Sequence, residues 1–523
     1  MHENRETSCA PALLAGRSAK AHGRKADVNA EEESDRGVVP VNQPNNEAQV
    51  SAEVGEGRLR TKENIRGAHT PPTLSGERVS QGLSGVRQTA RERKQERFTA
   101  LLHHMNVALL RDSFYQLKKN AAPGVDGVRW QEYEDGLEDR LADLHGRVHR
   151  GAYRAQPSRR VFIPKPDGRE RPLGIASLED KIVQQAVVTI LNQIYEVDFQ
   201  GYSYGFRPGR SSHQALDALN VGIQRRRVNY ILDADIRGFF DHVSHEWMLK
   251  FLEHRIGDRR VLRLIQKWLK AGVLAAGERW ETTVGTPQGA VVSPLLANVY
   301  LHYVFDLWLE AWRQKGAAGD VVAVRYADDL VVGFEHRTDA ERFLKEFQER
   351  LAKFGLELHP EKTRLIEFGR FAQANRDARG EGKPETFTFL GFTHYCGVNS
   401  KGYFVVQRKS AAKRMRAKLQ QLKQELRRKM HEPPALVGEW LKRVVTGHYQ
   451  YFAVPGNRPA LSLFRHRLCL LWRHSLIRRS QRSNINWRYL DRLFDRWIPF
   501  PRILHPYPST RFDARIQGRS RMR

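Results

Sequence analysis

Val321-Val322-Ala323-Val324-Arg325-Tyr326-Ala327-Asp328-Asp329-Leu330-Val331-Val332-Gly333-Phe334 decides how the chain folds. Two short β-branched runs, 321–325 and 330–334, flank an aromatic residue and two adjacent carboxylates. That pattern predicts paired strands with Tyr326-Ala327-Asp328-Asp329 at the hairpin turn. Further upstream, Tyr230-Ile231-Leu232-Asp233-Ala234-Asp235 predicts a buried strand that also ends in an acid. Two strands that end in acids can bring those acids together at one edge of a sheet. Clustered carboxylates without a basic partner repel one another, and a pair of hard divalent cations resolves that repulsion. Two Mg²⁺ ions about 4 Å apart suit in-line phosphoryl transfer. Paired aspartates at a turn are by themselves ordinary turn chemistry, so the rest of the chain has to support the reading.

After the hairpin, Thr338-Asp339-Ala340-Glu341 has the capping-box pattern. It opens a predicted helix carrying Phe343, Leu344, Phe347, Leu351 and Phe354 and ended by Gly355. Before it, Asp258 predicts an N-cap for a helix with Val261, Leu262, Ile265, Trp268 and Leu269 on one face. Leu101, Leu102, Met105, Leu109 and Leu117 predict a helix within 98–118, stopped by Pro123-Gly124. Beyond residue 408 the pattern turns helical and basic, over 413–430 and 461–479. Strands and helices mix without a regular βα alternation, which predicts an α+β fold rather than a doubly wound sheet.

The chain has 523 residues, enough for two or three domains, and 40% hydrophobic residues, enough for a sizeable core. Its 87 Lys and Arg against 59 Asp and Glu leave +28. A surplus of that size points to a polyanionic partner, nucleic acid before others, rather than to a basic protein that is merely soluble. Residues 401–523 carry 29 of the basic and 6 of the acidic side chains, so +23 of the +28 lies there. One basic region is joined to a nearly balanced one. Residues 1–91 are polar, without sustained apolar periodicity, and are expected to be a disordered tail. The three cysteines, Cys9, Cys396 and Cys469, stand far apart and support neither a disulfide framework nor a cysteine zinc site. The chain lacks the apolar core of a signal peptide, and its most apolar stretch, 289–309, is interrupted by polar residues. A cytoplasmic protein with no membrane partner is expected.

Tyr326-Ala327-Asp328-Asp329 resembles the YxDD of reverse transcriptases, and Asp235-Ile236-Arg237-Gly238-Phe239-Phe240-Asp241 resembles their preceding acidic motif. Gly285-Thr286-Pro287-Gln288-Gly289 and Ser293-Pro294-Leu295-Leu296-Ala297-Asn298 stand between them in the family's order. The stretches IPKPDGRERPLGI (163–175) and SYGFRPGRSSHQAL (203–216) are similar to group II intron-encoded reverse transcriptases in particular. LHPEKT (358–363) and FLGF (389–392) complete the series, and the resemblance runs from about residue 98 onward.

The resemblance implies a right-hand polymerase, with fingers and palm over 92–400 and a basic helical thumb or maturase (X) domain over 401–490. The segment 491–523 becomes a candidate for contact with target DNA. It implies an RNA-directed DNA polymerase using two Mg²⁺ ions, with Mn²⁺ as a substitute, and a maturase that binds intron RNA to promote splicing and mobility. Its partners would be intron RNA, an RNA template with a DNA primer, dNTPs and target DNA. Asp235 and Asp328 would be the principal metal ligands, assisted by the Ile236 carbonyl, with Asp329 beside them. Phe240 would be the bulky gate against a ribonucleotide 2′-hydroxyl, and Gln288 would sit against the incoming nucleotide. Lys165 and Arg171 match positions that hold the triphosphate, and Lys362 matches a lysine that aids the departing pyrophosphate. The Arg-rich stretch 413–479 would track phosphates. Lacking the cysteine pairs of an HNH endonuclease, the chain is expected to carry no DNA-cleaving domain. Two alternatives stay open from the residues alone: a splicing cofactor that binds RNA without catalysis, and a domesticated relative in host defence.

Overall fold

The computed structural model describes residues 74–164, 170–275, 278–280, 283–479 and 486–511. Eleven strands in three sheets mix with helices among these residues, an α+β architecture. In chain order the strands are Ser158–Pro164 (β1), Glu170–Ile175 (β2), Tyr230–Asp235 (β3), Val273–Ala275 (β4) and Glu278–Trp280 (β5). Val321–Tyr326 (β6), Asp329–Phe334 (β7), Arg364–Glu367 (β8), Phe387–Phe389 (β9), Phe392–Val398 (β10) and Phe404–Ser410 (β11) follow. The sheets run β2-β1-β4-β5, β6-β7-β3-β8 and β11-β10-β9.

The central sheet, β6-β7-β3-β8, is antiparallel throughout. Apolar side chains on both faces of β6 and β7 explain why their sequences show no alternation. Val321, Ala323, Leu330, Val332 and Phe334 face a core that includes Phe343 and Phe347 of the helix Arg337–Lys353. Val322, Val324 and Val331 face a second core with Ala215, Leu216 and Leu219 of the helix Ser212–Arg225. Gly222 lets that helix come close, since a Cβ there would lie 2.6 Å from a Val322 methyl.

A third core joins the C-terminal helices Ala412–Arg428, Pro434–Phe452, Arg458–Ile477 and Trp487–Trp497. Along Arg458–Ile477 the buried residues Leu461, Phe464, Leu468, Trp472 and Leu476 recur at helical spacing. Arg467 and Arg478 stay on the exposed side. Arg465 instead pairs with Asp495 at 2.8 Å, and Arg473 covers the Trp487 ring at 4.5 Å. These two arginines therefore hold the helix Trp487–Trp497 against its neighbour. No helix among the described residues is long and apolar enough to cross a membrane.

Several expectations need correction. Residues 74–91 are helical rather than disordered: Leu74–Glu92 forms a helix that buries Leu83, Val86 and Ala90. Its polar composition hid a narrow apolar stripe; residues 1–73 lie outside the described residues. The helix expected within 98–118 covers only Val107–Gln116, because Asn106 accepts a hydrogen bond from Leu109 N and starts it there. Thr338 does not cap its helix, which already begins at Arg337 after His336. The boundary at 400 falls between two strands that pair residue for residue, Phe392↔Ser410 to Val398↔Phe404. The boundary at 490 cuts a helix whose Leu490 and Phe494 enter one core. Strand pairing and shared burial, which composition does not report, override the shift in charge.

The third sheet is tied to the helix Ser212–Arg225 by a buried ion pair, Asp217 to Arg408 at 2.9 Å, with Arg511 3.2 Å from the same carboxylate. An Asp217→Ala variant leaves two guanidinium groups without their counter-ion. Its expected cost is about 3–5 kcal/mol, read as a lower urea midpoint at unchanged slope; an unchanged midpoint would rule the pair out as a structural tie.

Candidate active site

The register of β3 and β7 places Asp235 directly opposite Asp329. Asp329 also pairs with Tyr326 across the hairpin, so Ala327 and Asp328 form a two-residue turn at the same sheet edge. Ala327 adopts a left-handed φ of +57°, as tight two-residue hairpins require of a central residue. Asp233, two residues before Asp235, shares its face of β3. The sheet thus gathers Asp233, Asp235, Asp328 and Asp329. Asp233 is a further acid that the strand-end pattern does not single out, although its Asp-x-Asp spacing with Asp235 on a strand carries the signal.

Loss of water around the Asp329 carboxyl, joined by the charges of Asp328, Asp235 and Asp233, pushes it up to about 7, against a smaller opposing effect of Arg414. Burial likewise lifts Asp233 to about 6, opposed by Arg364, reinforced by Asp235 and opposed by a hydrogen bond from the Thr388 backbone. Asp329 still reaches solvent, which screens its weight in stability. Both acids keep protons when folded at pH values where the unfolded chain has lost them. Their contribution is therefore full below the unfolded value near 3.8 and is lost as pH rises through about 6 to 7. Without divalent cation, wild type should lose melting temperature relative to Asp329→Asn between about pH 4 and about pH 7. Parallel melting curves for the two proteins would contradict the crowding.

Lys362, on the turn before β8, reaches Asp235 Oδ2 at 2.6 Å. Half exposed and on a long stem, it brings a cation to the carboxylates. The backbone after β3 is held by 357–359: Arg237 N donates to Glu357 O at 2.9 Å and His359 N to Asp235 O at 2.7 Å. Ile236, between them, is buried.

Phe240 follows Gly238, whose left-handed φ of +54° starts a short helix, Phe239–His242. Its half-buried ring meets Phe239 edge-on at 5.3 Å. The loop 285–289 packs onto this turn, with Thr286 N donating to Phe240 O and Gly285 N to Val243 O, both at 2.8 Å. Gly285 has to be glycine, since its φ is +86° and a Cβ would lie 3.0 Å from two carbonyl oxygens. From the other side Gly174 N donates to Gln288 O at 2.7 Å. The end of β2, the Gln288 loop, the Phe240 turn and the acidic edge are therefore one contiguous set of contacts. Arg171 lies on β2 opposite Ile163, with its side chain outside the described residues. Lys165 and the terminal 512–523 also lie outside them.

Residues 163–394 match the family model for reverse transcriptase (RNA-dependent DNA polymerase), a span that holds every element of this site. Over that region the chain is similar to the reverse transcriptase family. Among its curated relatives, protein YkfC of Escherichia coli K12 is 36% identical over 241 residues, 40% of this chain and 62% of YkfC. The group II intron-encoded protein LtrA of Lactococcus lactis subsp. cremoris is 35% identical over 226 residues, 42% of this chain and 37% of LtrA. An uncharacterized 91 kDa protein in a cob intron of Schizosaccharomyces pombe is 35% identical over 203 residues, covering 39% and 25%. The chain spans less than two thirds of the length of each of these relatives. The matched region holds Asp235, Asp328 and Asp329 at one sheet edge.

A divalent cation fits that edge on chemical grounds. The Asp329 carboxyl, whose proton affinity is raised by burial and then by the charges of Asp328, Asp235 and Asp233, is relieved by a hard cation as well as by a proton. No three His, Cys, Asp or Glu side chains among the described residues are drawn together as a closed metal cage. Mg²⁺ rarely uses such cages: it takes one or two carboxylates and completes its shell with water and substrate phosphates.

Proposed function

We propose that this chain is an RNA-directed DNA polymerase that also binds a structured intron RNA as a maturase. The observation that carries the reading is the strand register that sets Asp235 against Asp329 with Asp328 in the adjoining turn. The sheet β6-β7-β3-β8 would be the palm, β1 and β2 the fingers, and the helices from Ala412 the thumb.

Asp235 and Asp328, with the Ile236 carbonyl, would hold two Mg²⁺ ions, or Mn²⁺ in their place. Those ions supply activation of a primer 3′-hydroxyl and charge neutralisation on the leaving pyrophosphate. The chain's own residues bind and orient. Arg171 on β2 and Lys165 would take the triphosphate, where charge builds during transfer. Gln288, fixed through its backbone to Gly174, would lie against the nucleotide. Phe240 would fill the space a 2′-hydroxyl needs. Lys362, already at Asp235, would supply positive charge or a proton to the departing pyrophosphate.

The maturase half rests on the charge. Lys413, Arg414, Arg416, Arg427 and Arg428 occupy the exposed side of Ala412–Arg428, opposite the apolar stripe of Met415, Leu419, Leu422 and Leu426. Such a helix buries one face and offers phosphates the other. The test is extension of a DNA primer on an RNA template with dNTPs and Mg²⁺. Alongside it, binding of a structured RNA should weaken steeply with salt. A folded protein that binds RNA but extends no primer would leave only the splicing-cofactor reading.

A further inference from the structure

Arg325, next to Tyr326 on β6, is fully buried. Its guanidinium forks onto Asp306, Nε to Oδ1 at 2.8 Å and Nη2 to Oδ2 at 2.5 Å. Asp306 is equally buried and ends a single π-helical turn, His302–Asp306, inserted between the helices Ser293–Leu301 and Leu307–Lys315. Such insertions interrupt the helical hydrogen bonding and recur at functional sites. The third nitrogen, Arg325 Nη1, donates to Asn298 Oδ1 at 2.9 Å and to the Ala327 carbonyl at 3.2 Å.

The same cluster reaches the turn from the other side. Asn298 Nδ2 donates to the Gly205 carbonyl at 2.7 Å, and the Tyr202 hydroxyl to the Asp306 carbonyl at 2.7 Å. The segment 202–205 is laced to β6 by Tyr204 N to Arg325 O and Arg325 N to Tyr202 O, both 2.9 Å. Gly205 lies so close to the hairpin that a Cβ on it would be 2.3 Å from Ala327 N.

A left-handed alanine is disfavoured by about 1–2 kcal/mol and persists only where its surroundings over-determine it. Here the surroundings are the Arg325 fork and the Gly205 backbone. A buried ion pair is on average no more stabilising than apolar side chains of equal size, so stability alone does not account for this one. Beyond Asp306 and Asn298, the Arg325 hydrogen bonds reach the carbonyl of the peptide that leads into Asp328.

We propose that Arg325, aimed by Asp306 and Asn298, is a positioning residue that holds the Ala327–Asp328 peptide and so sets the Asp328 carboxylate against Asp235 for a divalent cation. The inference rests on the polymerase reading of the site. It makes the 203–205 backbone and the π-helical turn part of the active-site support rather than of the general core.

The full chain carries the test, as wild type, Asn298→Ala and Arg325→Lys. Asn298→Ala keeps the Arg325–Asp306 pair but drops the links to Gly205 and Arg325. Arg325→Lys keeps the charge but cannot span Asp306, Asn298 and Ala327 together. Mn²⁺ binding is read from the electron paramagnetic resonance of free Mn²⁺, with primer extension and thermal melts in parallel. Each variant should bind Mn²⁺ about tenfold more weakly and lose about 10- to 100-fold in kcat, with the KM for dNTP little changed. Wild-type Mn²⁺ affinity in both variants, even with lowered melting temperatures, would reduce the cluster to a structural role and overturn the inference. A wild type that binds Mn²⁺ better than the variants but extends no primer would instead overturn the polymerase reading alone.

Discussion

Asp328→Ala should abolish primer extension while leaving the chain folded. A ligand to the reacting metal centre supplies several kcal/mol of transition-state stabilisation, so its removal is expected to cost at least about 10³-fold in rate. Little structural damage should accompany the loss. Asp328 occupies the two-residue turn between Tyr326 and Asp329, and the β6–β7 register continues without it from Tyr326↔Asp329 to Val321↔Phe334. Losing the Asp328 charge also removes one of the causes that raise the Asp329 carboxyl. The metal-free variant should therefore melt at or above the wild-type temperature near neutral pH. Activity and stability move in opposite directions, which separates a dead site from a misfolded one. Extension at the wild-type rate would exclude Asp328 as a metal ligand; a collapse in melting temperature would make it a structural turn residue.

Phe240→Ala should open the enzyme to ribonucleotides. The ring is half-buried against Phe239 at 5.3 Å, and its backbone is pinned by Thr286 N at 2.8 Å, so it cannot easily swing aside. A wall held in place discriminates by overlap, and overlap with an extra hydroxyl costs on the order of 1–3 kcal/mol. The ratio of kcat/KM for a dNTP over the matching rNTP should fall by about 10- to 100-fold, mostly through a gain for the rNTP. If the ratio is unchanged while dNTP incorporation persists, Phe240 is a core side chain and selectivity arises elsewhere.

Much of this was legible from local signals. The two β-branched runs around Tyr326-Ala327-Asp328-Asp329 predict a hairpin with the carboxylates at its turn, and β6 and β7 are that hairpin. Asp258 was readable as an N-cap, and its side chain accepts from Arg260 N. The ordered motifs from 163 to 392 pointed to the reverse transcriptase family before any contact was known. Local patterns succeed here because strand period, capping and turn chemistry act between residues a few positions apart.

The sequence by itself determined the reverse transcriptase-like motifs, the α+β mixture and the acids at strand ends. Only the tertiary structure decided which groups share a site. Asp233 joins the acids through its face of β3, Lys362 reaches Asp235 across 127 positions, and Gln288 meets the end of β2 through a backbone bond. Asn298 and Asp306 read in sequence as polar flaws in an apolar stretch, yet the fold turns them onto Arg325. The helix Leu74–Glu92 likewise gains its buried face only once a core is there to receive Leu83, Val86 and Ala90. The physical reason is common to all of these: burial and charge pairing depend on through-space distance, which the chain acquires only when its sheets and helices close on one another.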